Sequence, residues 1–270
     1  MTLPTSLCEA FARRGFGPVV WLTGAGISAE SGIPTFRGPE GYWRVGSKNY
    51  RPEELATFRA FQQMPKEVWA WYLYRRAVCR ASDPNAAHLA LVEAEAALGE
   101  SFLLITQNVD GLHGRAGQSQ ARTFSIHGNV DWMRAVGGRT LQPVPAYFDD
   151  WTKDRTLTDE EMTRLSVNGV PARPHVLWFD ESYNEEHFRF ESAQLAAGRA
   201  SALIIVGSQG TTNLPSMIAA TCLGRGVPVV VVDPAEGRFT EAIQGRGHHL
   251  RGPASEWVPP LVELLIDQQT

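Results

Sequence analysis

The sequence predicts an α/β protein built on a doubly wound, Rossmann-like parallel sheet with a smaller inserted module. Three observations carry this expectation. Short apolar runs at Val19–Thr23, 101–106, Ala202–Val206 and 227–232 have the unbroken character of strands buried on both faces. Each run stops at a glycine or a polar residue (Gly24, Gln107, Gly207, Asp233), and helical stretches separate them. The first run passes into Gly24-x-Gly26-x-x-Ala29, a turn whose glycines let backbone amides approach a pyrophosphate at the start of a helix.

The elements follow in order. The first strand is entered through Pro18 and stopped by Gly24, and residues 35–59 are too irregular for one helix. Pro65–Arg80 has a helical pattern, with Val68, Trp69, Tyr72 and Arg76 or Ala77 on one face. A second helix is expected to open at Ser82-Asp83-Pro84, a cap followed by proline, and to run to Ala96 or Leu98. The strand at 101–106 leads into Gln107-Asn108-Val109-Asp110. Residues 129–173 change character, with Gly137-Gly138, three prolines and an acidic helical patch at 158–165. They are read as a small module whose core candidates are Trp132, Tyr147, Phe148, Trp151, Met162 and Leu165. Strands are then expected at 176–179, Ala202–Val206 and 227–232, with a helix at 215–223. Ligands of such sheets bind outside the strand carboxyl ends, which sets Gly24, Gln107, Gly207 and Asp233 along one rim.

Composition narrows the class. The 270 residues are 43% hydrophobic and 20% charged, enough apolar material for a sizeable core. A formal charge of -4 without a Lys/Arg block argues against a nucleic-acid surface. No apolar run is long enough to span a membrane, and residues 1–14 lack a secretory apolar region and carry Glu9. Cys8, Cys79 and Cys222 are too scattered for a disulfide framework or a metal cluster, so a reduced, cytoplasmic protein is expected.

Four blocks, in order, resemble the sirtuins, the NAD-dependent protein deacylase family. They are Gly24-Ala-Gly-Ile-Ser28 with Pro34-Thr-Phe-Arg37, Gln107-Asn-Val-Asp110, His127-Gly128, and Arg173-Pro-His-Val-Leu-Trp-Phe179. The resemblance spans roughly residues 15–235 and implies NAD as cosubstrate and an acyl-lysine protein or peptide as partner. It divides the chain into an NAD-binding domain, 1–128 with 173–270, carrying a helical insertion near 40–80, and a module at 129–172. His127 matches the family's base, a role that imidazole suits near neutral pH. Asn108 and Asp110 resemble the residues that position ribose and the nicotinamide carboxamide, Asn108 taking a catalytic role beside His127. An amide and a carboxylate can read that group's donors and acceptors. Gln107 is expected on ribose hydroxyls. Gly24, Ala25, Gly26, Ser28, Phe36, Arg37, Gly207, Ser208 and Asp233 complete the cofactor set, with Phe36 shielding the reactive carbon. Val176, Trp178 and Phe179 line the peptide side. His88, His113 and His175 are read as structural hydrogen-bonders.

Tyr72 and Arg75 stand three apart and share a helix face. Class III sirtuins, which remove succinyl and related acidic groups, carry a Tyr-x-x-Arg pair here; its guanidinium fork fits a carboxylate and the phenol adds a hydrogen bond. Gly41-Tyr42-Trp43 also resembles that class. The chain departs from the family at four places. Residues 129–172 contain no cysteine and no histidine, whereas most sirtuins hold a structural zinc there on four cysteines; no zinc or other metal is expected. The family's Gly-Glu after Trp-Phe is Asp180-Glu181, and the run 207–215 is altered. Asp233 replaces a common asparagine, and a carboxylate there favours NAD over NADP. Three readings stay open: an NAD-dependent protein-lysine deacylase (deacetylase or desuccinylase-like), an NAD-dependent ADP-ribosyltransferase or NAD glycohydrolase on the same scaffold, and a non-catalytic NAD-binding sensor.

Overall fold

The computed structural model describes residues 2–35 and 52–268. Within them run β1 (Val19–Thr23), β2 (Phe102–Thr106), β3 (Thr123–Ser125), β4 (Gly128–Ala135), β5 (Leu141–Pro143), β6 (Ser166–Val167), β7 (Val170–Val176), β8 (Ala202–Val206), β9 (Val229–Val232) and β10 (His248–Leu250). Six of them form a sheet in the order β10-β9-β8-β1-β2-β3, with every pairing parallel. The chain builds outward from β1 to β3 and then returns to β1's other side with β8. That reversal makes the carboxyl ends of β1 and β8 the topological switch point.

Alternation along the strands explains why both faces are apolar. Val19, Trp21, Phe102, Leu104, Ala202 and Ile204 enter one core, under the helices Ala86–Leu98 and Ala254–Asp267. Their neighbours Val20, Leu22, Leu103, Ile105, Leu203 and Ile205 enter the opposite core, under Phe190–Arg199 and Asn213–Gly224. Among the described residues no helix is long and apolar enough to cross a membrane.

The inserted module is an antiparallel sheet in the order β5-β4-β7-β6. Its core joins Met133, Phe148, Trp151 and Leu165 to Val68, Trp69, Tyr72 and Leu73 of helix Pro65–Arg80. Trp69 Nε1 donates to the Ala172 carbonyl at 2.9 Å. Arg76 and Arg80 on the same helix pair with Asp131 of β4 and with Asp149. Of the module's expected core, Trp132 and Met162 are only part-buried and Tyr147 is exposed; the cations Arg155 and Arg164 lie over the Tyr147 ring.

Three expected boundaries are corrected. The helix after 82–84 starts at Ala86 with Asn85 as its cap, since Asn85 accepts the Ala87 amide and His88 Nδ1 accepts the Asn85 amide. Ser82 instead turns back to donate to the Val78 carbonyl, closing the preceding helix. Residues 177–179 are not strand: β7 ends at Val176 and belongs to the antiparallel sheet. Helix Asn213–Gly224 begins two residues before Pro215, which fills a first-turn position where its missing N–H costs nothing.

Candidate active site

At the switch point the two glycine turns lie against each other. The Gly24 amide donates to the Val206 carbonyl and the Gly26 amide to the Gly207 carbonyl, both at 2.9 Å. A Cβ on Gly26 would stand 2.5 Å from Gly207 Cα, and one on Gly24 would stand 2.7 Å from the Gly207 oxygen. Gly207 itself has φ +61°, so neither turn admits a side chain. The residues after Gly24 form a 3₁₀ helix, Ala25–Ser31, that carries Ala25 and Ser28. Phe36 and Arg37 lie outside the described residues, as does Gly41-Tyr42-Trp43.

Ser28 is fully buried and joins the first turn to the loop after β2. Its hydroxyl donates to Asp110 Oδ2 at 2.8 Å and accepts from Asn108 Nδ2 at 3.1 Å. Asp110 Oδ1 accepts the Leu112 amide at 2.9 Å, while burial pushes the carboxyl's pKa up. Beneath this trio lie two histidines with ring centroids 4.8 Å apart. His88 Nε2 faces Ser28 Oγ at 3.5 Å, and His113 Nε2 meets Thr23 Oγ1 at 3.1 Å. Burial pushes both imidazoles down, His88 to about 4 and His113 well below its ordinary value.

His127 is held by a different set of contacts. Gly128 beside it has φ +86°, and a Cβ there would lie 2.0 Å from the His175 carbonyl oxygen, so the position requires glycine. The Leu177 amide donates to the His127 carbonyl at 3.0 Å, which fixes the backbone. Nδ1 stands 3.0 Å from the Gln107 carbonyl, which can only accept, so Nδ1 carries the proton. Nε2 is therefore bare, and the Tyr183 hydroxyl donates to it at 2.7 Å. Burial lowers the imidazole's pKa to about 4, partly opposed by the Gln107 carbonyl. The Gln107 side chain faces β8: its amide nitrogen donates to Ser208 Oγ at 2.8 Å and its oxygen accepts from Thr212 at 3.1 Å. Tyr183 and Thr212 are absent from the residues that the sequence singles out. Both stand in loops, where no helical or strand period marks them.

On the module side Tyr72 is buried, and Trp178 Nε1 donates to its hydroxyl at 3.0 Å. Arg75 is also buried, its guanidinium 4.6 Å from the Trp71 ring centroid and 5.4 Å from that of Tyr72. Val176 lies opposite Gly128 across β4 and β7, which joins this side to His127. Phe179 is exposed, and its amide donates to the Ala56 carbonyl at 3.0 Å. The departures at 180–181 have local structural partners. Asp180 accepts the amides of Phe58 and Arg59 at the start of helix Phe58–Gln63. Glu181 clamps the buried Arg173 and accepts the Trp178 amide. His175 stacks on Phe188, and burial lowers its pKa to about 3. Asp233 accepts the Ala235 amide of its own turn at 2.9 Å and Gln209 Nε2 from the loop after β8 at 3.2 Å, and burial raises its pKa.

The arrangement thus gathers Ser28, Asn108 and Asp110 into one network and Gln107, His127 and Ser208 into a second. Tyr72 and Trp178 form a third contact. Residues 24–213 match the model of the Sir2 family. The chain is 35% identical over 266 residues to an NAD-dependent protein deacylase of Leptospira interrogans serogroup Icterohaemorrhagiae serovar copenhageni (strain Fiocruz L1-130), covering 94% of this chain and 96% of the relative. It is 37% identical over 283 residues to the mitochondrial NAD-dependent protein deacylase sirtuin-5 of Danio rerio, covering 97% of this chain and 88% of the relative. The crystal structure of a Sir2 homolog–NAD complex superposes with a TM-score of 0.78 at 31% identity, covering 100% of this chain and 96% of that one. A six-stranded parallel sheet with a small antiparallel insert, a shared sequence over nearly its whole length and the match to the family model agree: the chain belongs to the Sir2 family.

Proposed function

We propose that this chain is an NAD-dependent protein-lysine deacylase in which His127 is the base, and that it favours acidic acyl groups. The observation that carries the reading is the imidazole's fixed state. Its proton sits on Nδ1 against the Gln107 carbonyl, and Nε2 is left as an acceptor, met by the Tyr183 hydroxyl. Such a base takes a hydroxyl proton without first losing its own.

The residues fit NAD as cosubstrate. Gly24, Gly26 and Gly207 let the turns after β1 and β8 close on each other at the switch point, where such sheets take a nucleotide and where an added Cβ would strike main-chain atoms. Asn108 and Asp110 offer a donor and an acceptor for a carboxamide, and Asp233 suits ribose hydroxyls. Ala25, Ser208 and Gln107 border the same rim; Phe36 and Arg37 are assigned to it from the sequence blocks alone. When bound, NAD supplies a glycosidic bond whose cleavage releases nicotinamide and opens the sugar carbon to the amide oxygen of an acyl-lysine.

For the acyl group, Tyr72 and Arg75 on one buried helix face support recognition of a carboxylate, with Val176, Trp178 and Phe179 beside the chain that carries it. Asp180 caps helix Phe58–Gln63 and Glu181 clamps Arg173, structural uses of the altered sequence that support deacylation over ADP-ribosyl transfer as its reading. We further propose that residues 129–172 are a module stabilised without zinc, set into a nucleotide-binding domain of 1–128 and 173–270. A reduced, cytoplasmic setting is proposed from the scattered cysteines. The test incubates the protein with NAD and matched acetyl-, succinyl- and unmodified lysine peptides and follows products by mass spectrometry. Nicotinamide and O-acyl-ADP-ribose should form only with acylated peptide, and faster with succinyl. Nicotinamide release that ignores the peptide overturns the reading.

A further inference from the structure

Every hydrogen-bonding position of the His127 ring is engaged within the chain. Nδ1–H is given to the Gln107 carbonyl at 3.0 Å, and the single lone pair on Nε2 is taken by the Tyr183 hydroxyl at 2.7 Å. A substrate hydroxyl and Tyr183 cannot both donate to one lone pair. If His127 is the base, Tyr183 has to yield.

The place of Tyr183 is fixed from both sides. Two residues earlier Glu181 is clamped to Arg173 and the Trp178 amide. One residue later Asn184 caps helix Glu185–Phe188 by accepting the His187 amide at 2.8 Å. The phenol ring stacks on Phe190 with 6.1 Å between centroids and 20° between planes. The Thr212 hydroxyl, whose proton goes to the Gln107 side chain, neighbours the phenol and offers it an acceptor. The phenol therefore has an acceptor in Thr212 Oγ1 to turn to after it leaves Nε2.

We propose that Tyr183 is a positioning residue that stands in for the substrate hydroxyl: it holds Nε2 of His127 as an oriented acceptor, then surrenders it when the nucleotide's ribose arrives. This rests on the reading of His127 as the base. Tyr183 acts on the base and not on the substrate, and no bond other than a hydrogen bond changes in the exchange.

Tyr183→Phe removes the hydroxyl and keeps the stacked ring. In this variant NAD no longer displaces an internal partner, so its dissociation constant by calorimetry and its KM should both fall by roughly two- to tenfold. The value of kcat should fall as well, because the imidazole is then held only through Gln107. A merely structural role predicts the opposite sign or no change in NAD binding, and either result overturns the proposal. Nitrogen NMR of histidine-labelled protein supplies a readout that needs neither turnover nor a variant. In the wild-type chain without nucleotide His127 should be the Nδ1–H tautomer, and an Nε2–H tautomer overturns the proposal. The imidazole should also titrate higher in Tyr183→Phe, since a donor to its neutral form is gone. Among the described residues no charged neighbour contributes to the depressed value, which comes mainly from burial and is opposed by the Gln107 carbonyl. His127→Ala separates the two ideas. Retained deacylation there sinks the base assignment, whereas a dead His127→Ala with Tyr183→Phe indistinguishable from wild type sinks only the role of Tyr183.

Discussion

His127 and Arg75 show how one residue type can be put to different uses by its surroundings. The chain has seven histidines, and burial lowers the pKa of His88, His113, His127 and His175. Of these, His127 alone pairs a proton-bearing Nδ1 on a backbone carbonyl with an Nε2 that accepts from a part-buried tyrosine. His127→Ala should lower kcat by about 10²- to 10⁴-fold, the range for losing a general base, with nicotinamide release as the readout. Its depressed pKa has a sign that can be checked. The ring is half protonated near pH 4 instead of 6.5, so the base stays mostly neutral down to about pH 5. An acid limb of kcat/KM for NAD at 6.5 would contradict that assignment. Arg75 lies over Trp71 and Tyr72, where its charge can meet a carboxylate brought in with the acyl chain. Arg75→Met keeps the length of the stem and should cost succinyl removal about 2–3 kcal/mol of kcat/KM while leaving acetyl removal within about 1 kcal/mol. Equal losses on both substrates would remove the carboxylate role.

Helix Pro65–Arg80 is the element that couples the module to the site. One face carries Tyr72 and Arg75, and its last turns reach Asp131 and Asp149 through Arg76 and Arg80. Arg76 is 4% exposed and bonds both carboxylates, at 2.9 and 2.7 Å, whereas Arg80 is 41% exposed. These magnitudes predict unequal consequences. Asp131→Asn leaves a buried guanidinium short of a charge and should cost about 1–3 kcal/mol in urea unfolding. Arg80→Ala removes a screened surface pair and should cost under about 1 kcal/mol. Equal costs would argue against the pairing as the module's fastening. A module tied by ion pairs and by Phe148, Trp151 and Leu165 should also be indifferent to chelation. A Tm lowered by EDTA, or one equivalent of tightly bound zinc in the purified protein, would contradict the zinc-free reading. At this scale the sequence was legible wherever burial was complete. Strands β1, β2 and β8 and helix Pro65–Arg80 stand where the apolar runs and the 3.6-residue period put them. The edges were less legible because local signals competed. Ser82 and Asn85 are both good caps, and Asn85 took the role by pairing with His88. The apolar run at 176–179 looked like strand, but Trp178 leaves the sheet to pack on Tyr72 and Arg173. Tyr183 was not legible at all, since its meaning lies in a contact 56 residues away along the chain.

Across the whole molecule the buried histidines make the fold itself sensitive to acid. His88, His113 and His175 are each almost inaccessible to solvent. Their imidazoles are pushed to about 4, well below the ordinary value, and to about 3, mainly by burial. In the unfolded chain the same groups take up protons near 6.5, so between that value and about 4 the unfolded state binds more protons than the folded one. Stability from these groups is thus complete above 6.5 and is lost as the pH falls below it. Asp110 and Asp233 act in the opposite direction. Their carboxyls are raised by burial, so their contribution is complete below the ordinary carboxylate value and is lost as the pH rises through the folded one. They therefore soften the decline at its acid end, and the steepest fall lies between about pH 6.5 and 5. Lowering the pH from 7.5 to 5.5 should remove about 5–6 kcal/mol if these three and His127, also held down by burial, stay neutral in the fold, at roughly 1.4 kcal/mol each. Urea unfolding followed through the eight tryptophans measures this directly, and His88→Gln should recover about one quarter of the loss if its neutral form is what the fold requires. A midpoint that holds constant between pH 7.5 and 5.5 would mean that protons reach these rings in the folded state, and that the rim carrying Ser28 and Asp110 is looser than its hydrogen bonds imply.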